Sequence, residues 1–135
     1  MILVDTSVLI DYVKNVQNDS VALLDAIIDR NIPYGICNFV YQEVLQGAKT
    51  EKDFSMLKEY LATLPFYYLN HEKESFEKAA YITFMCRKSG ITIRNTIDVL
   101  IAQIAIENKL YLLHNDRDFD HMASVVKELK VLEQI

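Results

Sequence analysis

Two aspartates in this chain each follow a short run of apolar residues. Asp5 directly follows Ile2-Leu3-Val4, and Asp116 comes soon after Leu110-Tyr111-Leu112-Leu113. Such runs predict buried strands, and open α/β sheets bind ligands at the edge formed by the carboxyl ends of their strands. Carboxylates gathered at that edge could hold a divalent cation through oxygen ligands. This chemistry requires that the two aspartates lie close together and that other acids join them.

Asp98 is a third candidate because it stands in an otherwise apolar segment. From Ile97 to Ile106 only Asp98 and Gln103 are polar, so the predicted helix is buried almost all round. A buried carboxylate without a partner is costly enough that it normally takes up a proton or pairs with a cation. The alternative is a first-turn acid beyond a cap at Asn95, where the helix dipole favours negative charge.

The other acids have local explanations that the sequence leaves open. Asp5 could form an Asx turn leading into the first helix, and Asp118 could cap the helix that follows Asp116. Glu43 could belong to the solvated face of its helix. Gathered together, however, two such charges about 4 Å apart would cost about 4 kcal/mol at an effective dielectric near 20. Either protonation or a shared cation removes that cost, and an all-oxygen ligand set favours magnesium or manganese over zinc.

Strands alternating with helices must position these acids. The predicted strands run from Ile2 to Val4, Tyr34 to Cys37, Phe66 to Leu69, Leu110 to Leu113 and Lys130 to Leu132. The predicted helices run from a cap at Ser7 to Asn15, from Asp19 or Ser20 towards Pro33, from Asn38 to Gly47, from Thr50 to Leu64, from Glu72 to Ser89, from Asn95 or Thr96 to Asn108, and from Asp118 or Phe119 to Val126. The fourth of these helices has an apolar stripe of Phe54, Leu57, Leu61 and Leu64. The fifth has an i,i+4 pair of Glu74 and Lys78 on its outer face. This alternation predicts a three-layer α/β domain: a central, mostly parallel sheet of about five strands with helices on both faces.

Composition limits the classes of function. The chain has 135 residues, 51% of them hydrophobic, with 3 Gly and 2 Pro, so we expect one domain over residues 1–135 with a sizeable core. No apolar run approaches a membrane span and the N-terminus lacks a signal-peptide pattern, so we expect no membrane partner and a cytoplasmic protein. The net charge of −5 argues against a passive nucleic-acid binder, which needs clustered Lys and Arg.

The sulfur and imidazole side chains do not indicate a zinc site. Cys37 and Cys86 lie in apolar surroundings without CxxC spacing, so we expect free, buried thiols. His71, His114 and His121 show no metal-ligand spacing.

Four segments, taken in their order along the chain, carry a resemblance to a known protein family. They are Val4-Asp5-Thr6-Ser7-Val8-Leu9-Ile10-Asp11, Gln42-Glu43-Val44-Leu45-Gln46-Gly47, Asp98-Val99-Leu100-Ile101-Ala102-Gln103-Ile104-Ala105 and Leu112-Leu113-His114-Asn115-Asp116-Arg117-Asp118-Phe119-Asp120. Together they resemble the PIN-domain ribonucleases, and more narrowly the VapC-type toxins of toxin–antitoxin pairs. The resemblance spans essentially the whole chain and implies a PIN-like fold.

The resemblance implies roles for the acids. Asp5, Glu43, Asp98 and Asp116 correspond to a catalytic acidic quartet that holds one or two divalent ions, Mg²⁺ or Mn²⁺. The implied metal ligands are Asp5, Asp98 and Asp116, with Glu43 and Asp118 as further candidates. In the turn after the fourth strand, Asp116 ranks first and Asp118 second.

The implied reaction is hydrolysis of RNA, with tRNA among the candidate substrates, to leave a 5′-phosphate and a 3′-hydroxyl. Ser7 corresponds to a small polar residue that contacts water or phosphate at the metal. Arg94 and Arg117, together with Lys14 and Lys49, could contact RNA phosphates, although solvated surface charge explains each of them equally well.

The implied partners are a second copy of the chain, forming a homodimer, and a small antitoxin whose C-terminal segment wraps the toxin. Three alternatives stay open: a non-catalytic PIN-like interaction module, a housekeeping RNA-processing nuclease, and a phospho-accepting signalling domain. The last lacks an aspartate at the end of its central strand, since the run from Phe66 to Leu69 ends in Asn70.

Overall fold

The computed structural model describes all 135 residues and contains one sheet of five strands. The strands are β1 (Ile2–Val4), β2 (Tyr34–Cys37), β3 (Phe66–Tyr67), β4 (Tyr111–Leu113) and β5 (Lys130–Val131). The helices are α1 (Thr6–Val13), α2 (Asp19–Asp29), α3 (Asn38–Gln46), α4 (Glu51–Leu61), α5 (Lys73–Lys88), α6 (Thr96–Glu107) and α7 (Arg117–Val125). The predicted α/β fold class is thus confirmed.

Every strand pairing in the sheet is parallel. In the central strand β1 the residues Ile2, Leu3 and Val4 are all buried, at 4% exposure or less. Because successive side chains of a strand point to opposite faces, both faces of the sheet must be covered. This burial accounts for the three-layer arrangement of a parallel sheet between helices.

The strand order is β3-β2-β1-β4-β5. From β1 the chain builds β2 and then β3 on one side, and it then returns to place β4 and β5 on the other side. The strand order therefore reverses between β1 and β4. In open α/β sheets such a reversal opens a crevice at the carboxyl ends of the two strands, where ligands bind.

The helix α6 is buried almost all round, as its sequence predicts. All eight residues from Asp98 to Ala105 are buried, and α6 contacts α3, α5, α7 and β4. Asn95 caps the helix by accepting a hydrogen bond from the backbone N–H of Ile97 at 2.9 Å. The start of α6 thereby places Asp98 at the carboxyl edge of the sheet.

Two predicted helix starts are wrong, because an aspartate at the strand end takes the capping position. Asp5, not Ser7, caps α1 and accepts a hydrogen bond from the backbone N–H of Ser7 at 3.1 Å. Asp116, not Asp118, caps α7 and accepts from the backbone N–H of Asp118 at 2.9 Å. The same helix α1 ends at Val13, before the predicted end at Asn15.

The third strand is shorter than predicted, because side chains from the end of α6 take its hydrogen bonds. The side-chain amide of Asn108 donates to the carbonyl oxygen of Tyr68 at 2.9 Å, and Glu107 accepts from the backbone N–H of Asn70 at 2.7 Å. These contacts draw the chain away from the sheet after Tyr67.

The helix α4 ends at Leu61, before its predicted end at Leu64. Three further expectations concern side chains: one is wrong and two are confirmed. Phe54 does not join the apolar stripe of α4, since it is 45% exposed. Glu74 and Lys78 form an ion pair at 3.2 Å, and both cysteines are free and buried. None of the seven helices combines the length and the apolar character needed to cross a membrane.

Candidate metal centre

Three aspartates converge at the crevice between β1 and β4. Asp98 comes from the first turn of α6, Asp116 caps α7, and Asp118 lies in the first turn of α7. One carboxylate oxygen of each lies within 4.8 Å of the others, a spacing at which they could share a cation. Asp98 and Asp118 are 8% and 7% exposed, so two of these charges are held largely out of water.

Asp5 and Glu43 complete what we call the acidic cluster: Asp5, Glu43, Asp98, Asp116 and Asp118. The pKa of Asp98 is raised from its ordinary value of 3.8 to about 7. Burial is the largest cause, and the neighbouring charges follow in the decreasing order Asp5, Asp116, Glu43 and Asp118. All four carboxylates therefore lie close enough to repel the charge on Asp98.

Asp5 is held by Ser7. The Ser7 hydroxyl donates to Asp5 Oδ2 at 2.6 Å and accepts a hydrogen bond from the backbone N–H of Asn115 at 3.0 Å. Burial raises the pKa of Asp5, the hydrogen bonds from Ser7 lower it in part, and Glu43 raises it again. Because the Ser7 hydroxyl donates its only proton to Asp5 and accepts a hydrogen bond from Asn115, it joins the end of β1 to the turn after β4.

Glu43 lies on the face of α3 that turns towards α1, rather than on a fully solvated face. The Thr6 hydroxyl donates to Glu43 Oε1 at 2.7 Å. Sequence reasoning missed Thr6 as a residue that orients an acid. Its position directly after Asp5, with a hydroxyl at the start of a helix, was the available signal.

No lysine or arginine forms a salt bridge with the acidic cluster. The one basic side chain within 4 Å of a carboxylate of the acidic cluster is that of His121. Its Nδ1 lies 3.9 Å from Asp118 Oδ1, and the imidazole is charged only when protonated. The donors are all carboxylate oxygens, which magnesium and manganese prefer. The residues present therefore fit a hard divalent cation, which would supply the missing positive charge.

The predicted phosphate-binding residues separate into two groups. Arg94 and Arg117 line an open, polar cavity of about 520 Å³ together with Asp116 and Asp118. Lys14 and Lys49 line a different cavity of about 570 Å³, next to Tyr12 and Leu57. Only the two arginines are thus placed beside the clustered aspartates.

Cys37 lies near the acids but does not fit a ligand or nucleophile. It is fully buried at the start of α3, and burial raises the pKa of its thiol to about 11, with smaller contributions from Asp5 and Glu43. The thiol is therefore protonated at neutral pH, and only the thiolate ligates metals or attacks carbon and phosphorus centres.

The local explanations for the acids are true but incomplete. Asp5 and Asp116 do cap helices, and Asp98 does lie in a first turn beyond a cap. One capping acceptor satisfies one helix terminus, however, and capping gives no reason for acids from different elements to meet. Their convergence needs a separate explanation, and a shared cation provides one.

The fold and the site together define a class of protein: a parallel α/β domain that gathers carboxylates at the reversal of its strand order. The chain belongs to the PIN domain family, whose profile matches residues 2–125.

Individual relatives are similar over nearly the whole chain. Ribonuclease VapC11 of Mycobacterium tuberculosis is 29% identical over 128 residues, which cover 93% of each chain. The structure of VapBC2 from Rickettsia felis, bound to a DNA fragment from its promoter, contains a chain that is 20% identical with a TM-score of 0.74 and covers 98% of both chains. VapBC-5 of M. tuberculosis, a member of the VapBC family of toxin-antitoxin systems, contains one that is 18% identical with a TM-score of 0.66, covering 98% of this chain and 97% of that one.

Proposed function

We propose that this protein is a metal-dependent endoribonuclease and the toxin of a type II toxin–antitoxin pair. The observation that carries the proposal is the convergence of Asp98, Asp116 and Asp118 within 4.8 Å, in an acidic cluster without a lysine or arginine counter-charge. The ribonuclease relative that covers 93% of the chain supports RNA as the substrate.

Asp98, Asp116 and Asp118 would hold the cation, Mg²⁺ or Mn²⁺, and Asp5 is a further candidate ligand. When bound, the cation supplies Lewis acidity towards water and the phosphate oxygens. Glu43 has one oxygen bound to Thr6, so its other oxygen can accept a hydrogen bond from the attacking water. No protein nucleophile is required, in agreement with the buried and protonated Cys37.

Arg94 and Arg117 would contact the phosphates of the RNA, since they line the same cavity as Asp116 and Asp118. Ser7 would support this site by holding Asp5. The products would carry a 5′-phosphate and a 3′-hydroxyl, and tRNA is among the candidate substrates.

The proposed partners are a cognate antitoxin and a second copy of the chain. The structural relatives that contain VapB and VapC support the antitoxin, and an acid-lined cleft would attract a basic side chain from it. We also propose that residues 1–135 form a single PIN-like domain, which acts in the cytoplasm, where its RNA substrate is found.

The activity is tested by incubating purified protein with RNA in Mg²⁺, in Mn²⁺ and in excess chelator. We expect cleavage only with a metal ion, and we expect Asp98→Asn to reduce the rate at least about 100-fold, beyond the typical effect of losing a residue that only orients a ligand. Asp25→Asn, at an exposed position of α2, is the matched control and should cleave normally.

Undiminished cleavage in chelator would contradict the mechanism. Tight Mn²⁺ binding without cleavage of any RNA would instead favour a non-catalytic PIN-like module. The toxin assignment is tested by expression in cells, which should arrest growth unless a short neighbouring reading frame is co-expressed. Cleavage without growth arrest would favour a housekeeping nuclease.

A further inference from the structure

The turn between β4 and α7 is built around His114. The imidazole Nδ1 accepts a hydrogen bond from the backbone N–H of Asp116 at 3.0 Å, and Nε2 lies 3.1 Å from Asp120 Oδ1. The ring packs beside Phe119, with 5.1 Å between ring centroids, and the side chain is only 5% exposed. The carbonyl oxygen of His114 accepts a further hydrogen bond from Ser20 Oγ at 2.9 Å.

These contacts select one tautomer of His114. A backbone N–H can only donate, so Nδ1 must carry a lone pair and its proton must be on Nε2. The Nε2–H group then donates to Asp120. The neutral imidazole with its proton on Nε2 is the form that satisfies both contacts.

The hydrogen bond from the backbone of Asp116 to His114 Nδ1 also fixes the positions of the acids in this turn. His114 fixes the backbone N–H of Asp116, and Asp116 Oδ1 in turn accepts from the backbone N–H of Asp118 at 2.9 Å. Asp116 and Asp118 are two of the three residues whose oxygens converge with Asp98. The imidazole is therefore the first member of a chain of contacts that ends at two candidate metal ligands.

We propose that His114 is a positioning residue: its Nδ1 holds the β4–α7 turn in the conformation that brings Asp116 and Asp118 to the cation. This inference rests on the metal site of the proposed function. His114 acts through Asp116 and not as a ligand, because both of its ring nitrogens are already bound within the protein.

Two substitutions separate the two nitrogens. In His114→Asn, the side-chain oxygen stands the same number of bonds from Cα as Nδ1, so it can still accept the hydrogen bond from Asp116. In His114→Gln, the side-chain amide stands at the bond distance of Nε2, so it can reach Asp120 but leaves the N–H of Asp116 without its acceptor. Both variants lose the ring, which makes them matched controls for the packing against Phe119.

The main readout is the Mn²⁺ dissociation constant, measured by electron paramagnetic resonance without RNA. We expect His114→Gln to weaken Mn²⁺ binding by about 10-fold or more, the usual effect of losing a residue that orients a ligand, and His114→Asn to stay within about 3-fold of the wild type. Long-range ¹H–¹⁵N spectra of the metal-free wild type should show the proton of His114 on Nε2. Thermal unfolding of both variants without metal checks that they fold equally well.

Equal Mn²⁺ affinity for the two variants, or weaker binding by His114→Asn, would overturn the inference, as would a proton on Nδ1. If these results came with normal RNA cleavage by the wild type, the proposed function would stand without the inference. Failure of the wild type to bind Mn²⁺ would overturn both. Binding with the expected order of variants but without RNA cleavage would support the positioning role and remove only the proposed activity.

Discussion

Asp5 and Asp116 each cap a helix and also stand in the acidic cluster. The hydrogen bonds from Ser7 fall on Oδ2 of Asp5, and the one from the Asp118 backbone falls on Oδ1 of Asp116. Each of these side-chain contacts uses a single carboxylate oxygen, so lone pairs on the other oxygen remain for a cation. A capping acid can therefore also be a ligand, and the two interpretations that the sequence left open are compatible at these residues.

The relative importance of Asp118 is a prediction at the same scale. The family resemblance ranks Asp118 behind Asp116, whereas the structure places both within reach of Asp98. We expect Asp118→Asn to weaken Mn²⁺ binding at least about tenfold, and isothermal titration calorimetry measures it. Asp120→Asn removes the same charge two positions away on an exposed side chain and keeps an acceptor for His114, so its affinity should be unchanged. Equal losses of Mn²⁺ affinity in Asp118→Asn and Asp120→Asn would show that the affinity depends only on net charge.

The raised pKa of Asp98 predicts how stability depends on pH. The folded state holds this proton up to a pH of about 7, whereas the unfolded chain releases it near 3.8. Asp98 therefore contributes a stabilisation of the metal-free protein that is complete below the unfolded pKa and is lost as the pH rises through the folded one. We expect the free energy of unfolding of the wild type to fall more steeply than that of Asp98→Asn between about pH 4 and pH 7, the interval between the two pKa values.

Urea denaturation at several pH values, with and without metal, provides the measurement. Saturating Mn²⁺ should restore the stability of the wild type at high pH, because the proposed site would bind it only in the folded protein with the cluster deprotonated. Parallel stability curves for the two proteins without metal would show that Asp98 is not the titrating group.

At the scale of elements, the pairing of the outer strand β3 with β2 depends on a glycine in β2. A Cβ atom on Gly35 would lie 2.4 Å from the carbonyl oxygen of Pro65 and 2.7 Å from the ring of Tyr67. The absence of a side chain lets β3 approach β2, where Ile36 pairs with Phe66. The second strand, which leads into the helix of Glu43, is held in the sheet partly by this close approach.

We expect Gly35→Ala to destabilise the protein by about 1–3 kcal/mol, the usual cost of overpacking, because the nearest atom belongs to the backbone and cannot rotate away. Chemical denaturation measures the change. Gly47→Ala is the control: Gly47 has an ordinary helical conformation with φ −77°, and its added Cβ would meet only one oxygen at 3.3 Å. A similar loss at both positions would rule out the close approach as the cause.

Local patterns predicted the elements well where periodicity and chain breakers agree. The helix from Asn95 to Asn108 and the strand Tyr34–Cys37 are found as predicted. Two errors lie where an aspartate at a strand end takes the capping position, and another lies where a side chain distant in the sequence takes over a backbone hydrogen bond. Tyr68 leaves the third strand because Asn108, forty positions later in the chain, binds its carbonyl oxygen.

At the scale of the whole molecule, the net charge of −5 opposes RNA binding, so the phosphate contacts of the proposed function would have to be local. Arg94 and Arg117 line the cavity beside the clustered aspartates. In contrast, Arg30 follows α2 and precedes β2, which places it at the amino edge of the sheet, opposite the site.

We expect replacement of both Arg94 and Arg117 by Gln to weaken RNA binding and to lower the salt dependence of log K by about 1.4, the value for two lost contacts with single-stranded phosphate. The Asp98→Asn background prevents cleavage during a fluorescence anisotropy titration. Arg30→Gln should leave both the affinity and the slope unchanged. A uniform effect of all three arginines would indicate a general charge effect instead of a defined binding surface.

The sequence by itself determined the α/β class, the positions of the strands and helices, and the unusual acid in α6, because these depend on local periodicity and composition. It also determined that Asp5 and Asp116 follow apolar strands. Only the tertiary structure decided that β4 pairs with β1, which makes these acids neighbours at the reversal of strand order, and that Asp118 completes the converging set. Strand order depends on packing between residues far apart in the chain, and local patterns do not encode it.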